Sequence, residues 1–597
     1  MKDVELSWRY SFLGAVILVI PLLVSLQLIR IQTNPEWVEK LLELSVYWEN
    51  EQKTIVPPRG QIYDRWGNLL AGNRMVYEVG VELELIEDPQ MIAQTVSAVL
   101  GTNYHAVYEE ILAQASLEPS RESVHAVLVD NVLLEDIEKL DDRIAMIGQA
   151  NEKTKGKNKN PSSFSGLVYT PHLGRIYPEK TLASNIIGFV SHEGQEGKGY
   201  FGIEERFNDI LAAKVKTVQV PLDPNRVKDL PEVPSGESLI LTIDREIQRS
   251  MEEIIDGAVI ETGSASGTLV VIDPKTGEIM ALAMTPRMDL NEFWSYSEVF
   301  PKDTPFNRSI SQAYEPGSVF KVLTMAAALD SGTVTPETVF VDTGAIEVGG
   351  ALIYNWDMGA WGPQDMQGCL QHSLNVCLAW VATKIGPETL YSYLQAFGVG
   401  HMTGIDLAGE ASGRLKVPGD NDWYAADLGT NAFGQGVSVT PVQMAVAVSA
   451  VANRGLKMAP KIVRSVANGD FQYDTEQRIT GMPIKESTAQ TLSDLLSRSL
   501  EKESSYALVT GYRVAGKTGT AEIPTPLGYT TNATNASFVG WAPLDDPRFL
   551  IYVWLEKPGS APWGSVVAAP VFRQAVEKLV ILLDIPPDDV RHKLNGN

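Results

Sequence analysis

The sequence predicts an α/β protein built around an antiparallel sheet that is sandwiched by helices. A strand hairpin opens the C-terminal part of the chain, three strand-like runs follow one another near its end, and helical patterns lie between them. At 597 residues the chain is too long for one core. We therefore expect an elongated mixed N-terminal domain and one transmembrane helix ahead of this sheet.

The N-terminus has the clearest physical signal. Residues 10–29, between Arg9 and Arg30, form an uncharged run of 20 residues. As a helix, such a run spans about 30 Å, the thickness of the hydrocarbon core of a bilayer. A cleaved signal peptide would have a shorter apolar run followed by small residues, which the residues after Arg30 do not provide. The prediction is a cytoplasmic tail over 1–9 and a membrane anchor over 10–31.

Beyond the anchor, a proline-containing stretch around residues 230–236 separates two predicted domains. Residues 32–230 mix strand and helix patterns and are interpreted as an N-terminal pedestal domain. Its first part, 32–56, has an amphipathic pattern that indicates a helix. Residues 236–597 form the C-terminal domain. Because Lys2 and Arg9 lie in the short tail before the anchor, that tail is expected inside and both domains outside the cytoplasm, in a single-pass membrane protein.

The C-terminal domain has strand patterns at both ends and helical patterns between them. Turn residues join the first two apolar runs into a hairpin, and short polar loops join the last three into an antiparallel meander. We expect the two ends to pair and close the sheet. The predicted strands are 268–272, 278–283, 512–522, 536–542 and 549–555, and the predicted helices are 318–329, 441–451 and 571–583.

Composition excludes several classes of function. The formal net charge of −25 argues against a nucleic-acid partner, because phosphate contacts need clustered lysine and arginine. Two cysteines cannot make a disulfide framework or a cysteine metal site, and the seven histidines lack the spacing of metal ligands. The sequence therefore predicts no nucleic-acid partner, no metal and no cofactor.

Ser318 and Lys321 form the first of three motifs. A Pro-Gly turn precedes Ser318, and an apolar helical run follows it. Serine and lysine at positions i and i+3 lie on the same face of a helix. The apolar neighbours of Lys321 favour a neutral amine, because burial lowers the pKa of a lysine. A neutral amine beside a hydroxyl can act as the general base for a serine nucleophile.

The spacing of this motif is not specific. Ser499 and Lys502 share it in a stretch that reads as an exposed helix, and Lys275 begins a Lys-Thr-Gly run that is interpreted as a hairpin turn. The order and context of the motifs distinguish them from these chance matches. Ser373-Leu374-Asn375 follows Ser318, and Lys517-Thr518-Gly519-Thr520 comes later on a strand-like run. This order is typical of β-lactamases and penicillin-binding proteins.

The first two motifs can move a proton. Ser373 can relay it between Lys321 and the leaving nitrogen of a substrate, and Asn375 can hold the amide of the substrate in register. Ser318, Lys321, Ser373 and Lys517 are therefore the predicted catalytic residues.

The third motif can bind the substrate. Gly519 is expected to let the substrate backbone approach the strand. Lys517 and the hydroxyls of Thr518 and Thr520 suit a terminal carboxylate. The backbone N–H groups of Ser318 and Thr520 would form an oxyanion hole, worth about 10²–10³ in rate per donor.

With these motifs the chain resembles class B penicillin-binding proteins over nearly its whole length. The resemblance implies a monofunctional D,D-transpeptidase that cross-links peptidoglycan stem peptides through a serine acyl-enzyme and reacts with β-lactams. It implies the penicillin-binding/β-lactamase-like transpeptidase fold, with the N-terminal domain of the dimerisation type. Trp66 departs from the family motif, which commonly has asparagine there. The segments similar to the family are 59–65, 175–178, 202–204 and 241–244 in the N-terminal domain, and 273–279, 307–308, 314–321, 433–436 and 440–443 in the C-terminal domain.

The ending of the chain refines this resemblance. Residues 567–572 and 585–587 are most similar to the division-specific branch, with the elongation branch as the alternative. The implied partners are a membrane glycosyltransferase of the shape–elongation–division–sporulation family and other division proteins.

Three alternative functions would make different demands on the sequence. A class A β-lactamase needs a glutamate to activate water, and Glu410 lies at a suitable distance after Ser373 but lacks the residues that accompany it in that family. A penicillin sensor would need several membrane helices. A recruitment scaffold of the division complex would not need the complete catalytic set.

Cys369 and Cys377 flank Ser373 and invite a redox role. On one continuous helix, residues eight positions apart lie about 12 Å from each other, which is too far for a disulfide. We therefore expect both cysteines to be buried packing residues, and we expect His372 to be structural.

Overall fold

The computed structural model describes residues 3–40, 50–116, 125–153, 164–191, 197–221, 233–301, 304–503, 505–525 and 528–594. Part of the predicted boundary at 230–236 thus lies outside the described residues. The strands are β1 (Asn50–Ile55), β2 (Ile62–Tyr63), β3 (Leu69–Glu82), β4 (His125–Val132), β5 (Leu167–Ile176), β6 (Phe189–Ser191), β7 (Lys198–Tyr200), β8 (Lys216–Pro221), β9 (Ser238–Leu241), β10 (Ser266–Ile272), β11 (Ile279–Thr285), β12 (Phe340–Asp342), β13 (Ala345–Val348), β14 (Ala351–Tyr354), β15 (Gly362–Gln364), β16 (Lys457–Met458), β17 (Val463–Asn468), β18 (Phe471–Asp474), β19 (Ile479–Gly481), β20 (Ala515–Thr525), β21 (Gly528–Ala542) and β22 (Phe549–Glu556).

The α-helices alternate with these strands along most of the chain. They are α1 (Asp3–Thr33), α2 (Pro89–Leu100), α3 (Tyr104–Ser116), α4 (Leu134–Lys153), α5 (Ser184–Ile187), α6 (Gly202–Arg206), α7 (Asn208–Leu211), α8 (Arg245–Thr262), α9 (Tyr296–Val299), α10 (Arg308–Ser311), α11 (Lys321–Asp330), α12 (Met366–Gln371), α13 (Asn375–Ile385), α14 (Pro387–Phe397), α15 (Asp427–Asn431), α16 (Pro441–Ala452), α17 (Glu486–Glu503), α18 (Gly564–Leu582) and α19 (Asp588–Leu594).

Residues 1–57 and 213–235 form the smaller of two compact units. Its helix α1 contains an apolar stretch, Trp8–Thr33, that is long enough to cross a membrane. Its strand β1 pairs antiparallel with β8. The predicted helix over 32–56 is therefore wrong where β1 lies, because pairing with a distant segment overrides the local pattern.

Residues 58–212 and 236–597 form the larger unit. Its central sheet is antiparallel, in the order β11-β10-β22-β21-β20. The hairpin β10–β11 and the meander β20–β21–β22 confirm the predicted strands. Val270 of β10 lies opposite Tyr552 of β22, so the two ends of the C-terminal region pair as predicted. Helix α18 begins before the predicted residue 571, because the chain accommodates Pro570 inside the helix.

Helices cover both faces of the central sheet. Leu269 and Val271 belong to one apolar cluster with residues of α8 and α18. The intervening Val270 belongs to another cluster, with residues of α11, α13 and α16. Alternate side chains of a strand point to opposite faces, so both faces are packed and the sheet lies at the centre of the core. This is the predicted sandwich.

A second sheet contains strands that lie far apart in sequence. Its order is β18-β17-β9-β2-β3-β4, and β5 also pairs with β3. Near it, Arg59 Nε and Arg175 Nε each donate to the buried carboxylate of Glu204 at 2.7 Å. Three of the segments identified from the family resemblance thus meet at one buried charge cluster.

Candidate active site

The turn that carries Ser318 is held against strand β20. Residues Gly317–Phe320 form a 3₁₀ turn that runs directly into α11. Gly317 has a φ of +59°, and a β-carbon there would lie 2.7 Å from the carbonyl oxygen of Thr520. Its backbone N–H donates to the carbonyl oxygen of Gly434 at 3.0 Å. Glycine at position 317 therefore lets the turn approach the strand closely.

Lys321 begins α11, and its side chain is completely buried. Its Nζ lies within hydrogen-bonding distance of three oxygens: the carbonyl oxygen of Ser373 at 2.6 Å, Ser373 Oγ at 3.2 Å and Asn375 Oδ1 at 2.8 Å. Burial and, to a smaller extent, the positive charge of Lys517 hold the pKa of Lys321 well below its usual 10.5. The neutral amine that a general base requires is thereby favoured.

Ser373 lies in the turn between helices α12 and α13. It has a φ of +52°, in the left-handed region that an L-residue rarely adopts. The chain reverses there and brings the α-carbons of Cys369 and Cys377 to 6.0 Å, and the two cysteines form a disulfide. The prediction that they cannot pair is wrong, because it assumed one continuous helix. The disulfide encloses the Ser-x-Asn motif.

Strand β20 places Lys517 on the other side of Ser373. Lys517 lies opposite Val539 of β21, and its side chain is 4% exposed. Its Nζ donates to Ser373 Oγ at 3.0 Å and to Thr518 Oγ1 at 3.3 Å. The hydroxyl of Ser373 therefore contacts the amines of both Lys321 and Lys517.

At Gly519, a side chain would collide with the protein itself. A β-carbon at Gly519 would lie 2.2 Å from Ser537 Oγ and 2.9 Å from Val319 Cγ1. A side chain at position 519 would thus point into the protein, toward the turn that carries Ser318. On the same strand, Thr520 Oγ1 accepts a hydrogen bond of 3.0 Å from the backbone N–H of Gly564, where α18 begins.

One pocket brings the motif residues together. It has a volume of 710 Å³, and Ser318, Ser373, Asn375, Thr518 and Thr520 line it. Lys321 and Lys517 reach this lining through their hydrogen bonds to Ser373. The sequence therefore identified side chains that the fold gathers at one site from four separate elements.

Aromatic residues that the sequence analysis did not identify form part of the same pocket. The rings of Trp356 and Trp563 lie edge to face with centroids 5.3 Å apart. Trp356 Nε1 donates to the carbonyl oxygen of His372 at 3.0 Å, and His372 stacks on Trp361. His372 thus supports the wall of the pocket. Trp356 and Trp361, close together in the sequence, were the signal that could have predicted this wall of the pocket.

Known proteins share this fold and these segments. The family described as "Penicillin binding protein transpeptidase domain" matches residues 267–577, and the "Penicillin-binding Protein dimerisation domain" matches residues 54–237. Stage V sporulation protein D of Bacillus subtilis is 30% identical over 570 residues, which cover 92% of this chain and 82% of that protein. The chain belongs to the penicillin-binding protein transpeptidase family.

One further relative and one solved structure are also similar to this chain. The peptidoglycan D,D-transpeptidase FtsI of Buchnera aphidicola is 28% identical over 433 residues, which cover 71% of this chain and 72% of that protein. Penicillin-binding protein 3 of Mycobacterium tuberculosis, whose crystal structure was solved in complex with aztreonam, shares the fold. Its TM-score is 0.67 at 23% identity, with 90% of this chain and 98% of that chain covered.

Ser499 and Lys275, which match the spacing of the motifs without belonging to them, have structural roles in this transpeptidase. Ser499 lies in helix α17 as predicted, but it is 5% exposed rather than solvent-exposed, and its hydroxyl donates to the carbonyl oxygen of Leu495 at 2.6 Å. Lys275 lies in the turn of the β10–β11 hairpin and pairs with Asp546. Neither residue belongs to the lining of the Ser318 pocket.

Glu410 also has a structural role. Its carboxylate accepts hydrogen bonds from the backbone N–H groups of Thr403 at 2.6 Å and Gly404 at 3.0 Å, and so closes a loop. It does not belong to the lining of the Ser318 pocket. Among the residues that the structure describes, no group of three or more His, Cys, Asp or Glu side chains is placed to hold a metal ion.

Proposed function

We propose that this transpeptidase cross-links peptidoglycan stem peptides through an acyl-enzyme on Ser318. The observation that carries the proposal is the position of Ser373, whose hydroxyl contacts the buried amine of Lys321 on one side and that of Lys517 on the other. This arrangement supplies a base, a relay and a cation around one nucleophile in one pocket.

The first half-reaction starts with Lys321 as a neutral amine. An ammonium donates three hydrogens, whereas the neutral amine keeps two and has a free lone pair. That lone pair takes the hydroxyl proton of Ser318, whose oxygen bonds to the carbonyl carbon of the penultimate D-alanine. When the C–N bond breaks, the leaving D-alanine receives the proton from Lys321 by way of Ser373.

The second half-reaction reverses these proton movements. The amine of a neighbouring stem peptide attacks the acyl carbon, loses a proton through Ser373 to Lys321, and Ser318 leaves and regains its proton. Lys517, Thr518 and Thr520 bind the terminal carboxylate of the donor peptide, and Asn375 binds its amide. The backbone N–H groups of Ser318 and Thr520 stabilise the oxyanion.

Penicillin labelling tests the assignment of the nucleophile. Ser318→Ala should abolish the covalent adduct, and mass spectrometry of the wild-type protein should locate the adduct on the peptide that contains Ser318. Ser499→Ala is the matched control, because it has the same spacing to a lysine but lies buried in a helix. An adduct on any other serine would overturn the mechanism.

The lifetime of the adduct separates a transpeptidase from a β-lactamase. The carboxylate of Glu410 accepts hydrogen bonds from its own loop and does not line the Ser318 pocket, so its position does not support a water-activating role. The penicilloyl adduct should therefore persist for many minutes after free penicillin is removed. Decay within seconds, slowed by Glu410→Gln, would identify a β-lactamase.

The cellular setting follows from α1 and from the family. Helix α1 anchors the protein in the cytoplasmic membrane as a single span, with the rest of the chain outside the cytoplasm. A membrane glycosyltransferase of the shape–elongation–division–sporulation family supplies the glycan strands, and division proteins recruit the complex. The full-length protein should sediment with membranes after an alkaline wash, and a fluorescent fusion should mark the septum. Labelling of the lateral wall alone would favour an elongation role.

A further inference from the structure

A second cleft of the larger unit has a composition that the catalytic site does not explain. It has a volume of 380 Å³, and Arg65, Trp66, Arg464, Ser465, Gln472 and Asp474 contribute to its lining. These residues come from the turn after β2 and from the neighbouring strands β17 and β18 of the mixed sheet. The cleft shares no lining residue with the pocket of Ser318.

The indole of Trp66 is exposed and yet fixed in place. It is 71% exposed. Its Nε1 donates to Asp244 Oδ2 at 2.7 Å, and its backbone N–H donates to Asp64 Oδ1 at 2.9 Å. Asp244 is itself fixed, because it caps the N-terminus of α8. A large apolar ring held this way offers a rigid face with little conformational entropy left to lose on binding.

Polar side chains surround this face. The guanidinium of Arg65 lies 5.5 Å from the centroid of the Trp66 ring, and its buried Nε has no hydrogen-bond partner among the described residues. On the sheet, Gln472 Nε2 donates to Ser465 Oγ at 3.1 Å and to Asp474 Oδ1 at 3.2 Å. The cleft thus combines an aromatic platform with the exposed amide of Gln472 and the exposed carboxylate of Asp474.

This combination matches a pyranose ring better than a peptide or a phosphate. A pyranose has an apolar face of C–H groups and a rim of hydroxyls that both donate and accept hydrogen bonds. The face fits an exposed indole, and the rim fits Gln472 and Asp474, whose positions the buried hydroxyl of Ser465 supports by accepting from Gln472. The exposed guanidinium of Arg464 suits a carboxylate on the sugar, such as that of a lactyl ether, while Asp474 disfavours a polyphosphate and Arg65 is paired with Glu278 at 3.5 Å.

We propose that this cleft binds the glycan strand of peptidoglycan, with a sugar ring stacked on Trp66. The inference rests on the proposed function, because the polymer is the one whose stem peptides react at Ser318. Binding there holds the enzyme on a strand independently of the peptides.

The test uses the full-length protein in detergent micelles and peptide-free glycan strands, which an amidase releases from peptidoglycan. Binding is measured by isothermal titration. Trp66→Ala should weaken it at least tenfold, and Arg464→Ala, at an exposed position, should weaken it severalfold. Trp294→Ala is the matched control, because Trp294 is 66% exposed and lies outside the cleft; it should bind as the wild type does.

Penicillin acylation separates a failure of this inference from a failure of the proposed function. Every variant should acylate at the wild-type rate, which also shows that it folds, and wild-type protein already acylated at Ser318 should bind glycan unchanged. Equal glycan binding by wild type and Trp66→Ala, or no binding by an acylation-competent wild type, would overturn the inference alone. Loss of glycan binding after acylation, or equal competition by poly(glycerol phosphate), would overturn it as well. Failure of Ser318 to acylate would instead contradict the proposed function.

Discussion

The substitution Gly519→Ala tests whether strand β20 positions the nucleophile. The new β-carbon would lie 2.2 Å from Ser537 Oγ and 2.9 Å from Val319 Cγ1, whereas ordinary contact begins at 3.4 Å. The hydroxyl of Ser537, on the adjacent strand, can rotate away, whereas Val319 follows Ser318 in the buried 3₁₀ turn. Relief of the contact with Val319 therefore moves the turn from the strand by about 0.5 Å.

Two magnitudes follow from that displacement. Overpacking of a close-packed site costs about 1–3 kcal/mol of stability, so the melting temperature should fall. A displacement of about 1 Å between catalytic groups can slow a reaction by about 10²-fold, so about half of that displacement should cost about tenfold. Gly519→Ala should therefore acylate about tenfold more slowly with a fluorescent penicillin in stopped-flow measurements.

Matched variants identify the cause. Gly257→Ala makes the same change in helix α8, where the β-carbon meets nothing within 4 Å, and it should leave acylation unchanged and stabilise the helix by about 0.5–1 kcal/mol. Ser537→Ala removes the nearest atom, so the double variant Gly519→Ala/Ser537→Ala should regain part of the lost rate. Acylation of Gly519→Ala within about threefold of the wild-type rate would refute the positioning role of the strand.

Two further perturbations address the base and the disulfide. Lys321→Ala should slow acylation by about 10²–10⁴, whereas Lys275→Ala, in an exposed turn, should not. Because burial and the charge of Lys517 lower the pKa of Lys321, the neutral base becomes populated as pH rises through that lowered pKa, and the wild-type acylation rate should level off well below pH 10.5. A rate that still rises like that of an ordinary lysine near pH 10.5 would contradict the assignment. Replacing both Cys369 and Cys377 by alanine should cost about 2–4 kcal/mol of stability and slow acylation, and an unchanged melting temperature would show that the disulfide does not order the turn it encloses.

The sequence predicted the central sheet and the motif residues because both depend on local patterns in a fixed order. Apolar runs and turn residues specify the strands, and the motifs occur at the start of a helix, in a turn and on a strand. What it missed depends on contacts between distant segments. Strand β1 forms only because β8 pairs with it, and the burial of Ser499 follows from the packing of α17, which the serine itself does not encode.

The turn at Ser373 shows the same limit at the site. On one continuous helix Cys369 and Cys377 would lie too far apart to pair, but one helix ends and another begins on either side of the left-handed residue Ser373 between them. The sequence also did not reveal the contact within the protein that glycine at position 519 avoids, because its neighbour Ser537 on the adjacent strand is set by the pairing register.

In the proposed mechanism, Lys321 and Lys517 have different roles because their surroundings differ. Lys321 is buried beneath the pocket lining and near a second positive charge, and both effects disfavour its protonated form. Lys517 donates to Thr518 Oγ1 and shares Ser373 with Lys321. The mechanism needs one neutral amine and one cation, and the two lysines contact the same hydroxyl of Ser373. The charge of Lys517 lowers the pKa of Lys321 and also attracts the carboxylate of the substrate. Binding of that carboxylate would offset the charge, so the base should gain proton affinity once the donor peptide is bound.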